Sequence, residues 1–158
     1  MILLVRVDDR LLHGQVLCAW VPHTGADLLV VVSDEAREDT LRTAVMDACG
    51  EDGLKVIVRG IKEVLRENEQ GDFKDFRGML VVNDLRDALM LYEGGLRFAS
   101  LNIGNVHHND GGRKVSRSVI LSRGDEEIIE RLFSLGVEID IRDMPAASPV
   151  PYEKSSSI

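Results

Sequence analysis

Arg6-Val7-Asp8-Asp9-Arg10-Leu11-Leu12-His13-Gly14-Gln15-Val16 decides how this chain is read. The apolar run Ile2 to Val7 leads into it and has the look of a short buried strand. Val16, Leu17 and Trp20 then recur at helical spacing up to Pro22, where the helix should stop. A helix running straight through Gly14 would lose about 1 kcal/mol relative to alanine there. His13 therefore belongs in a loop, before a helix that begins near Gly14 or Gln15. A strand's carboxyl end meeting a helix's amino end is where open α/β sheets bind ligands.

The residue types at this junction suit phosphate carried on a histidine. Imidazole has an ordinary pKa of about 6.5, so at pH 7 roughly three quarters of it is neutral and nucleophilic. Backbone N–H groups of Gly14 and Gln15 at the helix start can bind phosphate oxygens, and the helix dipole adds about 0.3–1 kcal/mol for an anion. Arg10 and Arg6 offer planar, permanently charged forks to the same oxygens. Asp8 or Asp9 is placed to orient the imidazole or an arginine. The plainer alternative is a loop arginine paired with a loop aspartate and a histidine that happens to lie nearby.

Strand and helix signals alternate along the rest of the chain. The aliphatic runs 28–32, 55–58, 79–82 and 98–103, with 118–121 and 137–141, read as strands. Ser33 is a candidate cap for a helix whose apolar face is Leu41, Ala44, Val45 and Ala48. Ile61, Val64 and Leu65 mark a short helix, and residues 67–77 read as a polar, surface-exposed segment. Leu85, Ala88, Leu89 and Tyr92 mark the next helix; Ile128, Ile129, Leu132 and Phe133 mark the last, which Gly136 ends. The alternation predicts an α/β fold: a single-domain, doubly wound, mostly parallel sheet with helices on both faces. The domain should span 1–145, followed by an extended or partly disordered tail, 146–158. Trp20 is a core candidate, and Cys18 and Cys49 read as buried, reduced small hydrophobes.

Asn102-Ile103-Gly104-Asn105-Val106-His107-His108 follows a strand, so in a parallel sheet it should share an edge with His13. On composition alone a plain surface loop, running from Gly104 to Val115, explains it as well as a binding loop does. His23 has no special context.

The net charge is −8, which argues against general nucleic-acid binding. No CxxC or zinc-type Cys/His spacing occurs, and no P-loop or GxGxxG follows a strand, so neither a metal nor a nucleotide cofactor is expected. A metal held by His13, His107, His108 and an aspartate would sit beside arginines that repel it. No apolar stretch of about 18 residues and no signal-peptide pattern occurs, which leads us to expect a soluble intracellular protein.

The stretch from Arg6 to Val16 resembles the phosphorylation-site motif of the mannose/sorbose-family IIB component of the bacterial phosphoenolpyruvate-dependent sugar phosphotransferase system. The segment Asn102 to His108 resembles that family's Asn-x-Gly-Asn-x-His-His loop, and the likeness runs over nearly the whole chain up to Pro145. It implies a protein-N(pi)-phosphohistidine–sugar phosphotransferase. His13 would take a phosphoryl group, on Nδ1, from a histidine of a IIA component and pass it to a sugar held by a IIC/IID membrane permease. Arg10, Arg6 and Asp8 would assist, and Gly14, Gln15, Asn105 and His107 would border the phosphate, with no cofactor. The resemblance also implies a cytoplasmic protein held at the membrane through the permease, and a sheet with one antiparallel strand near an edge. It leaves a homo-oligomer open. The alternatives are a regulatory phosphorelay without a permease and a metal-dependent hydrolase.

Overall fold

A computed structural model of the chain describes residues 1–108 and 110–155. Six strands form one sheet in the order β3-β2-β4-β1-β5-β8. They are β1 (Ile2–Asp8), β2 (Leu28–Val32), β3 (Lys55–Arg59), β4 (Gly78–Val82), β5 (Ser100–Asn105) and β8 (Glu138–Ile141). Every pairing in this sheet is parallel. The antiparallel pairing expected within the sheet lies instead in a separate two-stranded ribbon, β6 (Arg113–Lys114) with β7 (Ile120–Leu121).

The central strands are aliphatic throughout because both faces are covered. One face holds Val5, Val7, Leu80, Val82, Leu101 and Ile103. They pack under α4 (Ile61–Gln70), α5 (Leu85–Glu93) and α6 (Arg123–Ser134). On the other face Leu29, Val31, Met79 and Val81 meet Leu11, Val16 and Trp20 of the first helical segment. Ala36 of α2 (Asp34–Glu38) and Met46 of α3 (Thr40–Asp47) complete that layer. Strand period then puts Arg6 and Asp8 of β1 on this second face, beside Leu4, since Val5 and Val7 point to the first. β1 leads to β2 along the second face, and β4 leads through α5 on the first face to β5. The two are neighbours whose connections leave on opposite sides, so the carboxyl end of β1 lies at a topological switch point.

Several expectations change. The first helix does not stop at Pro22. A π-helical turn, Val16–Trp20, runs into α1 (Val21–Thr24), and Gly25 at φ 70° ends it. The wide turn, marked by Val21 N–H on the carbonyl of Val16, lies where the Pro22 ring would crowd the carbonyl of Cys18. Leu41 and Val45 are 75% and 59% exposed, because short α3 is anchored to the sheet by Met46 instead. Cys18 and Cys49 are exposed, not buried. Phe133 is exposed as well; Ile129 and Leu132 face the core and Phe133 is one residue further round the helix. The polar segment 67–77 buries Phe73, whose carbonyl holds the chain's amino group at 2.7 Å. The tail is extended but docked. Val150 pairs antiparallel with Ile141 on the edge strand, and Arg113 donates to the carbonyl of Glu153 at 2.6 Å. Asn109 and the tail's last residues, 156–158, lie outside the described residues.

Candidate functional site

β1 ends in a tight turn in which Leu11 N–H donates to the carbonyl of Asp8 at 2.9 Å. Leu11 closes it at φ 55°, left-handed for a leucine, and its buried side chain packs with Val16 and Trp20. Such strain costs on the order of 1–2 kcal/mol and persists only where packing over-determines it. The turn delivers His13 to the helix mouth. Leu17 N–H bonds to the carbonyl of His13 at 3.1 Å, so the amides of Gly14 and Gln15 precede the first intrahelical bond and have no partner within the helix. Gly14 is exposed, with open space where a Cβ would stand.

Asp8 is the hub. It is fully buried, and one oxygen, Oδ2, meets four donors. Arg6 donates through Nε at 3.1 Å and Nη2 at 3.0 Å. Asn105 Nδ2 donates at 2.9 Å, and His13 Nε2 lies at 2.7 Å. Asp8 Oδ1 takes the backbone N–H of Arg10 at 3.0 Å. An ionised carboxylate can only accept, so the Nε2 proton is assigned to the histidine. That leaves Nδ1 of His13 as the lone-pair nitrogen. It is buried and has no hydrogen-bond partner among the described residues.

The expected residues do meet, though with different duties. The β1 loop and the loop after β5 are joined by the Asn105–Asp8 bond. They are joined again by Asp9 Oδ2, which accepts the backbone N–H of His107 at 2.8 Å and pairs with its Nδ1 at 2.9 Å. Asn105 also reaches Gln15 Oε1 at 3.4 Å. His108 turns away to Asp125 at the start of α6, 2.5 Å from Nε2 to Oδ2. Arg10 is exposed, and among the described residues its side chain makes no ion pair, so its fork is available to a ligand. Arg6 is the exception. It is fully buried; besides Asp8, its Nη1 donates to Asn102 Oδ1 at 2.6 Å and to the carbonyl of Arg142 at 3.4 Å. Its guanidinium lies 4.9 Å from the Trp20 ring centroid. Burial lowers its pKa and Asp8 opposes the shift, yet a guanidinium stays charged. Arg6 therefore presents no open fork to a phosphate.

Sequence reasoning missed Asn102 as a partner of Arg6, and missed the strap after β8. Asn102 Nδ2 donates to Asp140 Oδ2 at 3.1 Å and to the Arg142 carbonyl at 3.2 Å. Trp20 Nε1 donates to the carbonyl of Asp143 at 2.8 Å. The available signal was period two: a polar Asn102 between buried Leu101 and Ile103 shares a face with Gly104.

Beside His13 runs a largely apolar groove of about 500 Å³, lined by Leu12, Gly14, Leu17, Leu41, Val45 and Cys49 among others. Among the described residues no three His, Cys, Asp or Glu side chains converge to hold a metal. None of the described helices is long and apolar enough to cross a membrane.

Comparison with known proteins agrees with this geometry. Residues 2–156 match the family model described as the PTS system sorbose subfamily IIB component. The sorbose-specific EIIB component of Lacticaseibacillus casei is 30% identical over 141 residues, which is 89% of this chain and 86% of that protein. The mannose-specific EIIAB component of Escherichia coli K12 is 31% identical over 139 residues, 88% of this chain. The chain spans less than half, 43%, of that longer relative. The crystal structure of the N-acetylgalactosamine-specific IIB component 1 from Escherichia coli superposes with a TM-score of 0.89 at 29% identity, covering 97% of this chain and all of that one. A histidine held at the switch point of a parallel sheet, within a match that runs almost end to end, places this chain in the sorbose subfamily of PTS IIB components.

Proposed function

We propose that this chain is a phosphocarrier that accepts a phosphoryl group on Nδ1 of His13 from a IIA protein and passes it to a sugar bound by a IIC/IID permease. The observation that carries this reading is the state of the His13 ring. Nε2 is tied to Asp8, and Nδ1 keeps a lone pair with no partner among the described residues. The Nδ1 lone pair attacks phosphorus as the P–N bond to the donor histidine breaks, and the Nε2 proton stays on the ring, donated to Asp8, throughout. Since Nδ1 is buried, the approaching donor must displace its cover from the groove side. Charge on the transferring group falls to exposed Arg10 and to the amides of Gly14 and Gln15. Asn105 and His107 act one step back, by fixing Asp8 and Asp9. The transfer needs no metal, since arginine and the helix mouth supply the positive field. Through its permease the protein would work at the inner face of the membrane.

Incubation of the full chain with phosphoenolpyruvate, enzyme I, HPr and a cognate IIA, followed by intact mass and peptide mapping, tests this. One phosphoryl group on His13 is the expected result. No incorporation, or incorporation on His107 or His108, overturns it.

A further inference from the structure

Asp8 creates a problem of charge. A carboxylate 2.7 Å from Nε2 orients the ring well, but an anion that close favours the imidazolium form, which has no lone pair to attack phosphorus. Here the carboxylate is matched. Arg6 gives it two hydrogen bonds, and both residues have no solvent exposure. Nothing in Arg6 is left over for a substrate: its remaining nitrogen is taken by Asn102 and the Arg142 carbonyl, and its face lies against Trp20. Gly104 is shaped to admit it; a Cβ there would stand 2.0 Å from Arg6 Cζ. An arginine meant for an incoming phosphate would stay exposed, as Arg10 does.

We propose that Arg6 is a positioning residue whose buried cation neutralises Asp8, so that the carboxylate orients His13 without drawing a second proton onto it. The proposal deepens the reading of His13 as acceptor and rests on it. Other charged groups are farther round the site. Asp140, Arg142 and Asp143 approach Arg6 from β8 and the strap after it. Asp39 and Arg42 line the groove with His13 from the α3 side, and Asp9 is occupied by His107. The Arg6–Asp8 pair is the one built into the hydrogen bonding of the His13 ring.

The test is the protonation of the His13 ring, followed by two-bond proton–nitrogen NMR in the full chain without any donor protein. In Arg6→Gln the midpoint should rise by about one pH unit or more, as for a histidine beside an uncompensated carboxylate. In Asp8→Asn it should fall, because the Arg6 cation is then unmatched. In the double variant, which removes both charges, it should return to within about half a unit of wild type. The pH profile of phosphorylation of Arg6→Gln should move upward by the same amount, with the rate recovered at high pH. A folded Arg6→Gln with an unmoved midpoint overturns the proposal. If that variant does not fold, Asp8→Asn decides: an unmoved or raised midpoint overturns it equally. Arg6→Lys, which keeps the charge and loses the fork, should titrate close to wild type. Because the titration needs no phosphoryl donor, its outcome is separate from whether a IIA protein labels His13.

Discussion

Replacing Gly104 by alanine adds one methyl group at the most crowded point of the site. Its Cβ would lie 2.0 Å from Arg6 Cζ and 2.2 Å from both terminal nitrogens. Gly104 is not among the positive-φ residues, so alanine suits the backbone and by itself gains about 0.4–1 kcal/mol from a stiffer unfolded chain. The guanidinium must therefore leave its place between Trp20 and β5. It takes with it two hydrogen bonds to Asp8 and strands a buried carboxylate. Breaking a buried pair in this way costs about 3–5 kcal/mol, for a net loss of about 2–4.6 kcal/mol. At this chain length that is a fall in Tm of about 4–18 °C. Urea unfolding followed by circular dichroism measures it. The same substitution in an Arg6→Gln background should cost much less, since the shorter side chain leaves room for the methyl. A loss below about 1 kcal/mol, or an equal loss in both backgrounds, would refute the reasoning that the collision with Arg6 is what matters.

Other outcomes follow from the same geometry. His13→Gln should keep its fold and lose all phosphoryl incorporation by intact mass; a folded variant that still accepts one group removes His13 as acceptor. Arg10→Ala should slow transfer by about 10²–10³-fold, the usual effect of losing one charge-stabilising donor. Its stability should stay within about 0.5 kcal/mol, because an exposed side chain without an ion pair contributes little; rapid-quench rates and urea midpoints separate the two effects. Asp87 concerns stability against pH. Burial, then Asp84 and Asp34, pushes its carboxyl up to about 6, so the folded protein holds that proton more tightly than the unfolded chain, whose aspartates titrate near pH 3.9. Folding is thus favoured at low pH and loses stability as pH rises from about 4 to 6. Asp87→Asn should be more stable than wild type at pH 7.5, by about 1 kcal/mol after discounting for a half-exposed group, and no more stable at pH 4. Equal advantage at both pH values would sink that account.

How much of this could be read in the sequence depends on whether the information was local. The strands at 28–32 and 79–82 were legible because burial on both faces forces an unbroken aliphatic run. The place of His13 ahead of a helix start was legible because a glycine stands at a strand-to-helix junction. Cys18, Leu41, Val45 and Phe133 were misjudged, since apolar character says that a residue could be buried and not whether a neighbour is there to bury it. Short α3 has room against the sheet for Met46 and little else. Pro22 was misjudged because a stop signal assumes α-helical geometry, and the wide turn ahead of it changes that geometry.

Arg6 shows the same limit inside the site. Its spacing from Asp8 puts both on one face of β1, which was readable. Whether such an arginine faces a ligand or a neighbouring strand depends on what lies beside it. That is settled by β5 pairing with β1 at Arg6 and Asn102, a contact across 96 residues. The pairing sets Asn102 against Nη1 and Gly104 under the guanidinium, and the strap after β8 closes over them through the Arg142 carbonyl. Each of these partners is tuned to hold a cation still and dry, and a phosphate ligand needs the opposite, a donor that can meet solvent. The difference between the two arginines therefore follows from strand order: the one inside β1 is held buried against Asp8, as the proposed positioning role requires, and the one in the turn beyond it is left exposed, as the proposed phosphate contact requires.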